Sequence, residues 1–166
     1  MRAAILTLSD KGSRGERVDE SGPALAAWLA DKGVETVQSL VIADEFEQIV
    51  AVLTKWADAD SADLILTTGG TGVSPRDITP EATLQVVERV IPGLGELMRL
   101  KSLDKTTMAS LSRAVAGIRG QSLIINLPGS PRGAVENLEA VWPTIGHAVE
   151  KIRGGQEDCG NRFTKR

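Results

Sequence analysis

The chain has 166 residues with 19 basic and 22 acidic side chains, a net charge of -3. That is enough for one domain with its own core, and with no basic run it gives no support for a nucleic-acid partner. Trp28, Trp56, Trp142, Phe46 and Phe163 are the only aromatics, too few for a base-stacking platform. The lone Cys159 leaves no disulfide framework or cysteine-cluster metal site. The start MRAAILTLSD turns polar too early for a signal peptide, and no apolar run approaches the roughly 18 residues of a membrane span. A soluble, cytoplasmic protein with no membrane association is expected.

Ala3 to Leu8 predicts a first strand, with Thr7, Ser9 and Asp10 at its polar end and the loop KGSRGERVDE after it. Ser21 is placed to cap a helix that carries Pro23 early, Leu25, Trp28 and Leu29 on one face, and Gly33 as its stop. Val34 to Ala43 returns as a strand. Asp44 then opens a helix with Phe46, Ile49, Val50, Leu53 and Trp56 at helical spacing, and Glu47 three residues on completes a capping-box pattern.

The run from Leu64 to Thr83, LILTTGGTGVSPRDITPEAT, is the most informative in the chain. Leu64 to Leu66 reads as a buried parallel strand closed by Thr67 to Gly70. Gly69, Gly70 and Gly72 then allow a turn whose successive N-H groups form an anion-binding concavity, the other reading being a tight structural turn. The pattern is no P-loop, since Val73 and Ser74 stand where Lys and Ser or Thr belong, and Pro75 occupies a glycine position of the dinucleotide fingerprint. Thr79 as N-cap, Pro80 and Glu81 predict a helix running to about Val90.

Pro92 and Gly93 interrupt, and Leu94 to Leu100 and Thr107 to Arg113 predict short helices. Val115 to Ile118 and Ser122 to Leu127 predict an antiparallel hairpin. NLPGSPRG is a second phosphate-type turn, in which Gly129 frees the backbone and Ser130 can cap the last helix; helix entry alone would also account for it. That helix carries Val135, Leu138, Val141, Trp142, Ile145, Val149 and Ile152, and Pro143 should kink it. His147 lies in this pattern far from either loop and reads as structural. The expected organisation is one domain over residues 1–153 and a polar tail over 154–166.

Strands alternating with helices predict a three-layer, doubly wound α/β fold: a mainly parallel sheet with an antiparallel hairpin and helices on both faces. In such folds ligands sit beyond the carboxyl ends of strands. That rule selects Ser9 and Asp10, then Asp44, then the loop from Gly69 through Thr71, Gly72 and Ser74 to Asp77, then Asn126, Pro128, Gly129 and Ser130. Arg76, Arg113 and Arg132 are candidates for phosphate contacts, a solvated surface charge being the other reading of each.

LTTGGTG followed by RDITPEAT, with NLPGSPRG further on, resembles the MogA/MoaB family of molybdenum cofactor biosynthesis and the G domains of gephyrin-type proteins. SDKGSRG, VIADE, MASLSRAVAGIRG and LIINLPG fall in family order, and the SDKGSRG form resembles more closely the MogA branch, whose members are molybdopterin adenylyltransferases. The resemblance implies transfer of AMP from Mg-ATP to the terminal phosphate of molybdopterin, with release of pyrophosphate. It places the family's two essential carboxylates on Asp44 and Asp77. The Gly-rich loop falls on Gly69 to Gly72, the substrate-side serine on Ser112, and the second loop on Asn126 to Ser130. The attacking phosphate is already anionic at neutral pH, so Asp44 and Asp77 are expected to hold Mg²⁺ rather than to act as bases. A homotrimer and a downstream molybdate-inserting enzyme are implied as partners. The competing expectations are a MoaB-like pterin-binding paralogue with little adenylation and a trimeric scaffold module.

Overall fold

The structure is a computed structural model that describes residues 1–155; Cys159, Phe163 and the rest of the predicted tail from 156 lie outside the described residues. Among the described residues six strands form one sheet: β1 (Arg2–Leu8), β2 (Glu35–Ile42), β3 (Leu64–Thr68), β4 (Arg89–Val90), β5 (Ala116–Arg119) and β6 (Ser122–Leu127). Their order is β2-β1-β3-β6-β5-β4. β1, β2, β3 and β6 pair in parallel, while β5 pairs antiparallel with both β6 and β4. The helices are α1 (Asp10–Ser13), α2 (Ser21–Asp31), α3 (Phe46–Asp58), α4 (Thr79–Val86), α5 (Pro92–Leu103) and α6 (Pro131–Ile152), with a 3₁₀ turn over Thr107–Leu111.

Strand alternation divides the core in two. Ala3 and Ile5 of β1, with Leu64, Leu66, Leu123 and Ile125, meet α2, α5 and α6 on one face through Leu25, Leu29, Met98, Leu138 and Val141. Ala4, Leu6, Ile65 and Ile124 meet α3 and α4 on the other face through Ile49, Leu53, Trp56, Ala82 and Val86. The expected three-layer, doubly wound sheet with an antiparallel hairpin is therefore present. Trp28 and Trp142 pack edge to face at 4.9 Å between α2 and α6.

Several local expectations give way. Ser21 is the first residue of α2 and not its cap: the Asp19 carboxylate accepts from the amides of Ser21 and Gly22 at 3.0 and 3.1 Å. The helix after the Gly-rich loop stops at Val86, because Arg89 and Val90 leave it to pair with Ile118 and Gly117 as a short edge strand. Leu94 to Leu100 extends to Pro92–Leu103, and the helix expected over Thr107 to Arg113 is a 3₁₀ turn that ends at Leu111. The loop after β1 holds one helical turn, capped by Ser9 accepting from the Gly12 amide at 3.0 Å. As the apolar stripe predicted, α6 continues past Pro143, and Ser130 caps it, also as expected, by accepting from the Gly133 amide at 3.2 Å.

Candidate functional site

Consecutive connections from β1 run first to β2 on one side and then to β3 on the other, so the carboxyl ends of β1 and β3 lie at a topological switch point. The Gly-rich loop starts there. Gly69 has φ +106, and any Cβ on it would stand 2.3 Å from the Leu8 carbonyl oxygen, so only glycine lets β3 turn so close to the end of β1. Gly70 has φ +63, and a Cβ there would meet Thr79 Oγ1 at 2.3 Å and Asp44 Oδ1 at 2.9 Å. The Thr79 hydroxyl donates to the Gly69 carbonyl at 2.9 Å from a fully buried position. Thr79 thus fastens the loop and does not cap α4, whose cap position is Ile78.

Asp44 is not the cap of α3 either, which Glu45 precedes without a side-chain bond. Its carboxylate instead accepts from the Asp10 amide at 3.1 Å, and its own amide donates to the Asp10 carboxylate at 3.1 Å. This reciprocal pair joins the end of β1 to the end of β2. Removing the capping explanation leaves Asp44 as a nearly buried carboxylate against Gly70 whose purpose is not helix initiation.

Asp77 lies on the other side of the loop, accepting from the Ser74 amide at 2.8 Å, with a carboxylate oxygen 2.8 Å from where a Gly72 Cβ would stand. Arg113 braces this stretch. Its amide donates to the Thr71 carbonyl at 2.9 Å, and its guanidinium donates to the Gly72 carbonyl at 2.6 Å, to the Asp77 carbonyl and to Glu81. Arg113 is therefore a support of the loop and not a free phosphate contact. Arg76 is likewise engaged, by Asp10 and Glu45, and Arg132 points to solvent in a pair with Glu136.

Two cavities flank the loop. The larger, about 400 Å³, is lined by Ser9, Asp10, Asp44, Gly69, Gly70, Asp77, Gly129 and Ser130. The smaller, about 300 Å³, is lined by Thr71, Gly72, Ser112, Pro128 and Ser130, with Met108 and Leu111 as apolar walls. Ser130 borders both. Of the residues expected from sequence, Ser74, Arg76, Arg113, Asn126 and Arg132 line neither. Asn126 is fully buried, donating to Thr67 and Thr83 hydroxyls at 2.9 and 2.8 Å and accepting from the Val115 amide at 3.3 Å, so it anchors β6 within the core. The Thr68 hydroxyl donates to the Pro128 carbonyl at 2.7 Å and stitches the second loop to β3.

Sequence reasoning passed over Lys11, Arg17 and Asp19, which also line the larger cavity. Asp19 accepts from the Thr7 hydroxyl at 2.8 Å as well as from α2. Nothing local distinguishes Lys11 or Arg17 in a loop rich in charge; only the path of that loop across the strand ends brings them to the cavity.

Burial raises the pKa of Asp44, the charges of Asp10 and Asp77 push the same way, and the bond with Asp10 and the charge of Arg76 oppose them. Asp10 is held below the usual range by its bond to Arg76. Among the described residues no group of three or more His, Cys, Asp or Glu is arranged to cage a metal. Asp44 and Asp77, which both line the larger cavity, instead fit a hard divalent cation that takes one or two carboxylates and completes its shell with phosphate oxygens and water.

A family model described as probable molybdopterin binding domain matches residues 4–147. The chain is 46% identical over 152 residues to a molybdopterin adenylyltransferase from Helicobacter pylori, covering 90% of this chain and 86% of the relative. Against the molybdopterin adenylyltransferase of Escherichia coli it is 42% identical over 151 residues, covering 90% and 77%. Its fold superimposes on the molybdopterin biosynthesis enzyme MoaB from Thermus thermophilus with a TM-score of 0.87 and 54% identity, covering 92% of this chain and 96% of the other.

Proposed function

From the premise that the chain belongs to the probable molybdopterin binding domain family, we propose how its residues carry out the activity of its adenylyltransferase relatives. The chain is a molybdopterin adenylyltransferase of molybdenum cofactor biosynthesis, a nucleotidyltransferase that moves AMP from ATP to the terminal phosphate of molybdopterin. The observation that carries the residue assignment is that Asp44 and Asp77 line one cavity with Gly69 and Gly70 at the switch point of the sheet.

In the reaction an oxygen of the molybdopterin phosphate bonds to the α-phosphorus of ATP, the bond from that phosphorus to the bridging oxygen breaks, and pyrophosphate leaves with the electron pair. A phosphate monoester with a second pKa of about 6 is already anionic at neutral pH, so no protein base is required. The difficulty is bringing two anions together, and preorganised donors and charge meet it. Lys11 and Arg17 at the larger cavity serve the polyphosphate, together with the Gly-rich backbone. Ser112 and the apolar walls of the smaller cavity serve molybdopterin, and Ser130 stands between the two ligands. Asp44 and Asp77 would hold Mg²⁺, which when bound supplies charge neutralisation at the phosphates.

The pterin-binding paralogue and the scaffold module are not favoured. The domain assignment over residues 1–153, a homotrimer, a cytoplasmic location and delivery of the product to a molybdate-inserting enzyme complete the proposal. No helix among the described residues is long and apolar enough to cross a membrane. Incubating the purified protein with molybdopterin, ATP and Mg²⁺ tests the function: adenylated molybdopterin and pyrophosphate are the expected products, and binding without transfer would overturn it.

A further inference from the structure

Arg76 follows the Gly-rich loop but lines neither cavity. Its Nε donates to one oxygen of Asp10 at 3.0 Å, and one terminal nitrogen donates to the other at 2.8 Å and to Glu45 at 2.7 Å. Asp10 in turn accepts from the Asp44 amide and offers its own amide to the Asp44 carboxylate, both at 3.1 Å. One guanidinium thereby gathers three of the four strand ends that border the larger cavity: β1 through Asp10, β2 through Glu45, and β3 through Arg76 itself.

The exposure of these pairs makes them a poor source of stability, with Arg76 and Glu45 each about half exposed at 52% and 51%. Their value is geometric and electrostatic. A planar fork that grips both oxygens of a carboxylate fixes its orientation, which a point charge does not. It also cancels the charge of Asp10, which otherwise stands beside Asp44 in a region where Asp77 and Glu45 add two further negative charges.

We propose that Arg76 is a positioning residue for AMP transfer that acts through Asp10, neutralising it and holding it in the orientation that seats Asp44 against Gly70. This rests on the adenylyltransferase reading above. It departs from the phosphate-contact role expected from sequence, because Nε and one terminal nitrogen are committed to carboxylates and the residue lines neither cavity. A phosphate contact and a positioning residue leave different kinetic marks. Losing a ground-state contact raises KM for ATP, whereas misplacing Asp44 lowers kcat.

The test measures kcat and KM for ATP in Arg76→Ala, Asp10→Asn and the double variant, with Mg²⁺ and molybdopterin saturating. Arg76→Ala should lower kcat about tenfold while KM changes less than about threefold. With Asp10 already neutral there is little left for Arg76 to cancel, so the double variant should turn over within about threefold of Asp10→Asn alone. An unchanged kcat in Arg76→Ala, a rise confined to KM, or losses that simply multiply in the double variant would each overturn the proposal. Wild-type turnover in the same series reads the functional assignment separately: transfer by wild type with any of those three results defeats the role of Arg76 alone, while no transfer by wild type defeats both.

Discussion

Asp44 shows how a residue with an ordinary local explanation can turn out to need another. Its spacing to Glu47 is that of a capping box, yet in the fold it caps nothing on α3 and binds Asp10 across 34 residues of sequence. No sequence pattern reports that exchange, because it depends on β1 and β2 being parallel neighbours. The raised pKa of Asp44 gives a prediction with a definite sign. An aspartate that holds its proton more tightly folded than unfolded contributes its full stability below the ordinary aspartate range and loses it as pH rises through the raised value. Asp44→Asn, which keeps an oxygen to accept the Asp10 amide, should therefore melt at or above the wild-type temperature at neutral pH with metal chelated, and lose that advantage on acidification. Its turnover should fall about a hundredfold or more, as expected when a charge that organises the reacting phosphates is removed. Thermal melts against pH and steady-state assays check the two halves; a lowered melting temperature at neutral pH would contradict the first.

Among the elements, the long periodic segments were legible and the ends were not. The buried run of β3, the hairpin of β5 and β6 and the stripe of α6 each follow from apolar spacing, and each is present. The misplaced features are those decided by tertiary contact. Ser21 yields its capping role to Asp19, Thr79 spends its hydroxyl on the Gly69 carbonyl, and Arg89 and Val90 form a two-residue strand too short and exposed to leave a period in the sequence. Asn126 lies within β6, one residue before its end, and faces the core, since Thr67 and Thr83 supply partners that only packing brings near. The Gly-rich turn itself was readable because its glycines answer a local need. Gly70→Ala tests this: at φ +63 an alanine costs about 1–2 kcal/mol in backbone strain alone, and its Cβ would press on Thr79 and Asp44. Urea unfolding should show at least that loss, and turnover should fall further than the unfolded fraction accounts for. An alanine variant with wild-type stability and activity would show that the turn tolerates a side chain beside Asp44.

At the scale of the whole molecule, the sheet order explains why residues from positions 9, 44, 69 to 77 and 129 to 130 converge. The reversal between β1 and β3 opens the larger cavity, and β6 brings the second loop alongside β3. The proposed homotrimer is checked by sedimentation, which should give about three times the 17.6 kDa chain mass at micromolar concentration; a monomer would contradict it. The central claim is that this edge of the sheet joins AMP to molybdopterin by means of its two carboxylates. The most direct measurement follows adenylated molybdopterin and pyrophosphate from ATP and Mg²⁺ with wild-type protein and with Asp77→Ala, alongside molybdopterin binding to both. Wild type should form both products, and Asp77→Ala should bind molybdopterin but form neither; wild-type protein without transfer, or Asp77→Ala transferring AMP at the wild-type rate, would contradict it.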